Sequence, residues 1–119
     1  MNIASTEAIV TTAGMTAYTA TKSGVVGLTK SLAVELGPLG IRALAIAPTL
    51  IETPGIEEGR AAFAAAGLGD MLEQMADLAP LRRNGVADDV ARVALFCASD
   101  MSMLMTGSTL AVDAGDLAM

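Results

Sequence analysis

The run IRALAIAP, Ile41 to Pro48, constrains the chain more than any other stretch. It is almost wholly apolar, follows a glycine turn and stops at a proline, so no period divides it into a wet face and a dry one. A short run of that kind fits a strand buried on both faces, and such strands belong to parallel sheets covered by helices. Parallel neighbours require long crossovers, so helical segments are expected before and after it.

The segment before it supplies one. From Tyr18 to Leu36 the apolar positions Val25, Leu28, Leu32 and Leu36 recur at helical spacing until Gly37-Pro38 stops the pattern. Gly24 and Gly27 inside this helix cost roughly 1 kcal/mol each relative to alanine, and they are read as marking close approach of another backbone or of a ligand. After the strand, residues 53–59 carry turn and charge signals. Ile56 to Leu78 is then rich in alanine and broken at Gly67 and Gly69, which reads as two short helices with an apolar stripe. Two accounts of that segment stay open. One is a solvated helical hairpin; the other is a mobile lid, favoured by its place directly after a strand end and by the adaptable Met71 and Met75.

A further helix is expected from Asp88 to Ala98, with Asp88 and Asp89 at its positive end and Val90, Val93, Ala94 and Cys97 on one face. STLAVDAG then gives a last short strand, closed by Asp113 and Gly115. The expected fold is therefore α/β, a parallel sheet with flanking helices in one compact stretch.

Composition excludes several functions. Hydrophobic residues make up 53% of the 119 and charged ones only 17%, which implies surface meant to be covered. The net charge is −6, and seven Lys and Arg scattered through an acidic chain form no stripe for a phosphate backbone, so nucleic acid is not an expected partner. No apolar run reaches the roughly 18 to 20 residues of a membrane span, and MNIASTEA lacks the order of a signal peptide, so no membrane association and a cytoplasmic location are expected. Histidine is absent, which removes a histidine base or metal ligand, and no metal site is expected. The single Cys97, in VALFCA, reads as a small buried hydrophobe.

The candidate chemistry lies in AYTATKSG, although a tyrosine and a lysine four apart also occur on helices for no chemical reason. Tyr18, the only tyrosine, stands four residues before Lys22, so on a helix both project from one face. A phenol exchanges protons poorly near neutral pH, but an ammonium within roughly 4 to 6 Å stabilises the phenolate. Upstream, NIAS places Ser5 thirteen residues before Tyr18 at what reads as the end of a strand. Strand end, loop and helix start form the place where α/β sheets gather ligand groups.

With these residues the chain resembles the short-chain dehydrogenase/reductase family, whose hallmark is a serine ahead of a Tyr-x-x-x-Lys helix. The match runs through NIAST, YTATK, GLTKSLAVELGPLGIR, AIAPTLIETP, PLRRNGVADDVARVALFCASD and MTGSTLAVDAG, in order, over the whole chain. The resemblance implies an NAD- or NADP-dependent oxidoreductase acting on a secondary alcohol or ketone. It implies catalytic roles for three residues: Ser5 would bond the substrate oxygen, Tyr18 would exchange its proton, and Lys22 would assist the phenol and bind the nicotinamide ribose. Together with Tyr18 and Lys22, Pro48, Thr49, Ile51 and Thr53 would contact the nicotinamide end, with Thr53 reaching the carboxamide.

The resemblance covers the second half of a doubly wound, Rossmann-like sheet. The family's chain is roughly twice as long, and neither its glycine-rich phosphate turn nor its catalytic asparagine is found in these residues. A truncated chain, inactive alone, is the expectation, with a non-catalytic self-association module as the alternative. Three departures lie within the match: Leu44 for an asparagine, Thr49 for a glycine after the proline, and Ala114 for one glycine of a final pair. The family also implies a homodimer or larger, built on the Tyr18 to Leu36 helix and the last strand around Leu110 to Val112. The largely apolar segment from Ile56 to Leu78 implies a substrate without high charge.

Overall fold

The structure, a computed structural model, describes residues 1–65 and 71–119. Strand β1 (Asn2–Ile3) leads through a 3₁₀ turn to helix α1 (Thr16–Leu36) and then to β2 (Ala45–Pro48). Next come β3 (Ile51–Glu52), α2 (Pro54–Ala65), α3 (Met71–Leu78), β4 (Gly85–Val86), α4 (Ala87–Ala98) and β5 (Thr109–Val112). The break expected at Gly67 and Gly69 lies outside the described residues. Among the described residues no helix is long and apolar enough to cross a membrane.

The run that looked buried on both faces is the centre of a parallel sheet ordered β1-β2-β5, with Ala45 facing Asn2 on one side and Thr109 on the other. Ala45, Ile46 and Ala47 are wholly shielded from solvent. Side chains alternate along a strand, so the two faces carry different cores. Ala45 and Ala47 join Ala4 beneath Val25 and Val26 of α1, while Leu44 and Ile46 join Cys97 beneath Val90, Val93 and Ala94 of α4. Cys97 is thus the small buried hydrophobe expected of it.

The ladder begins later than the apolar run. Ile41 is exposed, and Arg42 turns to the other end of the sheet, where its Nη1 donates to the Ser102 carbonyl at 3.0 Å and its Nη2 to the Ser99 carbonyl at 3.3 Å. The Ala43 amide donates to Thr106 Oγ1 at 3.0 Å rather than to a strand.

Helix α1 forms where expected but docks through a different set of residues. Its fully buried positions are Thr29 and Ala33, with Val25 and Val26 beside them, whereas Leu28 is 52% exposed and Leu32 and Leu36 are half-buried. A polar residue sits at the contact because it is satisfied there. Thr29 Oγ1 accepts from Asn2 Nδ2 at 2.9 Å and donates to the Val25 carbonyl at 2.8 Å. Counting apolar side chains alone misplaces the docked stripe by missing that threonine. A Cβ built on Gly24 or Gly27 would meet nothing within 4 Å, so within this chain these glycines mark no close approach.

The parallel pair β3 and β4, Ile51 with Gly85 and Glu52 with Val86, leaves no signature in the sequence, because two residues are too few to show a period. Gly85 leaves room for Ile51, whose Cδ1 would have to move aside for a Cβ at that position. At the start of α4, Arg83 makes a forked pair with Asp89 at 2.7 and 2.9 Å, and Asp89 also accepts the Val86 amide at 2.9 Å. The Arg83 guanidinium first, and the Val86 amide second, hold the Asp89 carboxyl far below the ordinary carboxylate range. Its folded value being depressed, any stability it contributes is present above the unfolded value of about 3.9 and is lost as pH falls toward the folded one. The pair is solvent-exposed, so the acid-induced loss is small.

The last strand ends in a tight turn. Gly115 has φ +92°, and a Cβ there would stand 2.8 Å from Pro80 Cγ. Ala114, where the resemblance expects glycine, has φ +53°, a left-handed conformation that costs an alanine roughly 1–2 kcal/mol. Replacing Ala114 by glycine should therefore raise stability by about 0.5–1 kcal/mol, the strain relieved exceeding the added freedom of the unfolded chain. Urea denaturation of Ala114→Gly reads this directly; an unchanged or lower midpoint would show that the turn is not strained.

Candidate active site

Parallel strands place their carboxyl ends on one edge, and the expected site residues lie along it. Past β1, Ser5 is buried and caps the 3₁₀ turn Thr6–Ala8, its Oγ accepting the Glu7 amide at 3.2 Å. Thr6, also buried, donates to the Pro48 carbonyl at 3.5 Å and so bridges the ends of β1 and β2.

Helix α1 begins at Thr16, with no side-chain cap at Met15, and brings Tyr18 and Lys22 round to this edge. Lys22 Nζ lies 5.6 Å from the centroid of the Tyr18 ring and donates to the Ile3 carbonyl at 3.1 Å. The ammonium is thus anchored to the last residue of β1 while standing over the phenol. Tyr18 is 43% exposed, open enough to meet a ligand.

Among the described residues no hydrogen bond joins Ser5 to Tyr18. Glu7 connects their segments instead. Its carboxylate accepts the Thr12 amide at 3.0 Å, the Thr12 hydroxyl at 2.6 Å and, from α1, the Thr19 hydroxyl at 3.5 Å. One side chain therefore ties the turn that Ser5 caps to the residue next to Tyr18. Sequence reasoning missed both Glu7 and Thr6. A lone carboxylate among threonines carries no period, and the only available signal was an acidic side chain two residues after the serine in an otherwise uncharged loop. Beside this brace lies a cleft of about 410 Å³ lined by Thr11, Thr12, Gly14, Thr16 and Thr19 among others.

The four residues expected along the nicotinamide follow β2. Pro48 ends that strand, and Thr49 is half-buried with its amide bonded to the Val112 carbonyl at 3.1 Å. Ile51 is half-buried in β3, and Thr53 is exposed. Thr53 Oγ1 accepts the Ile56 amide at 3.3 Å, so it caps α2, and its hydroxyl proton is the part left for a ligand.

A family model described as enoyl-(acyl carrier protein) reductase matches residues 1–116. The 3-oxoacyl-[acyl-carrier-protein] reductase FabG of Chlamydia pneumoniae is 42% identical over 116 residues, which make up 97% of this chain and 43% of that protein. A solved oxidoreductase of the short chain dehydrogenase/reductase family from Burkholderia thailandensis superposes with a TM-score of 0.86 at 36% identity, covering 98% of this chain and 44% of the other. ElxO, solved with NADP bound, gives a TM-score of 0.85 at 29% identity and covers 99% and 46%. This chain thus spans less than half the length of each.

The brace can be tested apart from any activity. Glu7→Ala should speed hydrogen exchange at the Thr12 amide by about tenfold or more, because a charge-assisted bond to that amide is lost. Exchange unchanged from wild type, measured by NMR, would show that the loop holds its shape without Glu7.

Proposed function

The chain belongs to the short-chain dehydrogenase/reductase family, and we propose that the protein interconverts a secondary alcohol and a ketone with NAD or NADP, using Tyr18, Lys22 and Ser5. The observation that carries this reading is the position of Lys22, set over the Tyr18 ring and held by the carbonyl of Ile3, the last residue of β1 and two residues before Ser5. With no histidine in the chain, Tyr18 is the group we assign to give and take a proton at a substrate oxygen. In reduction its hydroxyl passes a proton to the ketone oxygen; in oxidation it takes the proton back. The Ser5 hydroxyl donates to the same oxygen and fixes its position. Lys22 orients the ring, supplies positive charge beside it and holds the ribose.

The residues fit the nicotinamide end of such a cofactor: an ammonium at a strand end, Pro48 and Thr49 following the neighbouring strand, and Ile51 and Thr53 beyond them. When bound, the nicotinamide supplies or accepts the hydride. For the phosphates nothing comparable is present among the described residues, where no strand leads through a glycine-rich turn into a helix. On this reading these 119 residues hold the dinucleotide weakly by themselves. The relative named as a 3-oxoacyl reductase and the neighbour solved with NADP support the ketone and the cofactor. A purely associating module is not favoured, since the matched relatives are named as reductases and oxidoreductases. The reading also places α2 and α3 as the lid and sets a second copy against α1, where Leu28 and Val34 face solvent.

Two measurements test it. In the complete protein, Tyr18→Phe should lower kcat by about 10²–10⁴-fold, the range of a lost proton donor, with cofactor affinity retained. Activity within about tenfold of wild type would remove Tyr18 from the chemistry. Residues 1–119 alone should give no calorimetric signal for NADH at micromolar concentrations, and tight binding would show that phosphate recognition needs no further residues.

A further inference from the structure

Thr49 stands where the family resemblance expects glycine, and its hydroxyl donates to Asp116 Oδ2 at 3.2 Å. A glycine there could make no such bond. We infer that the turn after β5 is a latch on the nicotinamide-side loop, with Asp116 as a positioning residue acting through Thr49. The inference rests on the function proposed above for that loop.

The turn is stiff enough to act as a latch. Asp113 accepts the Gly115 amide at 3.1 Å and the Leu117 amide at 2.9 Å, and the Asp116 amide donates back to the Asp113 carbonyl at 2.9 Å. Pro80 packs against Gly115, and the Leu81 amide donates to the Ala114 carbonyl at 3.1 Å, so the turn is also fixed to the chain that follows α3. On its other side it grips Thr49, and β4 holds the next residue, Leu50. The Thr49 amide is bonded to Val112 at the end of β5, its hydroxyl to Asp116, and the Leu50 carbonyl accepts the Gly85 amide at 3.1 Å. A cavity of about 110 Å³ lies between these parts, lined among others by Thr49, Met75, Leu78, Asp113 and Asp116. One turn thus joins the end of the α2–α3 segment to the loop that follows Pro48.

A latch of this kind affects how well the loop is preorganised for cofactor and leaves the proton transfer at Tyr18 alone. Asp116→Ala and Thr49→Val should each raise hydrogen exchange at the Thr49 and Gly85 amides by about fivefold or more, the factor carried by one lost hydrogen bond. In the complete protein Asp116→Ala should raise the KM for the nicotinamide cofactor by a similar factor while kcat stays within about twofold. The double variant should be no worse than either single one, and Asp116→Asn, which keeps an acceptor oxygen, should restore most of the loss. Unmoved exchange, additive singles, or an unchanged cofactor KM in an active protein would overturn the latch. If wild type turns over no nicotinamide, the proposed function fails by itself, and the exchange data then decide whether Asp116 holds the loop.

Discussion

The double burial of β2 governs the rest of the molecule. A strand with no solvent face must satisfy its backbone through neighbours on both edges, and here β1 and β5 do so in parallel register. Its two faces differ in side-chain size, and that difference sorts the helices. Ala45 and Ala47 leave a shallow surface on which α1 lies, whereas Leu44 and Ile46 project into the larger apolar cluster beneath α4. Parallel direction then gathers the ends of β1, β2 and β5 at one edge, so the constraint that builds the core also fixes the edge along which the candidate site residues lie.

The orientation of α1 carries that constraint to the candidate chemistry. Residues 18, 22, 25, 29 and 33 follow one another at helical spacing along a single face, and this face is the one docked on the sheet. Thr29 and Ala33 anchor its far half, with Asn2 of β1 bonded to Thr29. Continued toward the helix start, the same face leaves the sheet at Lys22, which still reaches the Ile3 carbonyl, and emerges into solvent at Tyr18. A rotation of α1 by one residue would turn Thr29 and Lys22 away together. The buried polar contact and the candidate catalytic pair are therefore two points on one line.

Helices α1 and α4 were legible in the sequence by their period, and the central and last strands by short apolar runs between turn signals. The docked face of α1 was not, because Thr29 is buried through hydrogen bonds that hydropathy does not register. The two-residue strands β3 and β4 were too short to be seen. Ser5, Tyr18 and Lys22 stood out by spacing, while Glu7 and Thr6 act through bonds to a loop and a carbonyl that only the folded chain brings near. The three departures from the family pattern acquire separate physical meanings. Leu44 is a core residue beside Cys97, Ala114 holds a left-handed turn, and Thr49 gains a carboxylate partner.

The greasy composition finds its explanation in what this core is made of. Among the described residues six of the nine buried hydrophobic ones are alanines, which bury little apolar area apiece. Much larger side chains lie outside: Leu104 is fully exposed, Met101 is 81% exposed and Leu95 is 72% exposed, all at or just beyond α4. At roughly 25 cal/mol per Å² of apolar area removed from water, covering such residues yields more than the alanine core does per residue. The small alanine core is therefore supplemented by the half-buried side chains packed on it, among them Val90, Phe96, Leu110 and Val112, while these exposed side chains contribute little to the fold. With so many small side chains in the core, the internal hydrogen bonds, from Asn2–Thr29 to Thr49–Asp116, help to select one arrangement of strands and helices, because packing alanine on alanine discriminates little between neighbouring registers.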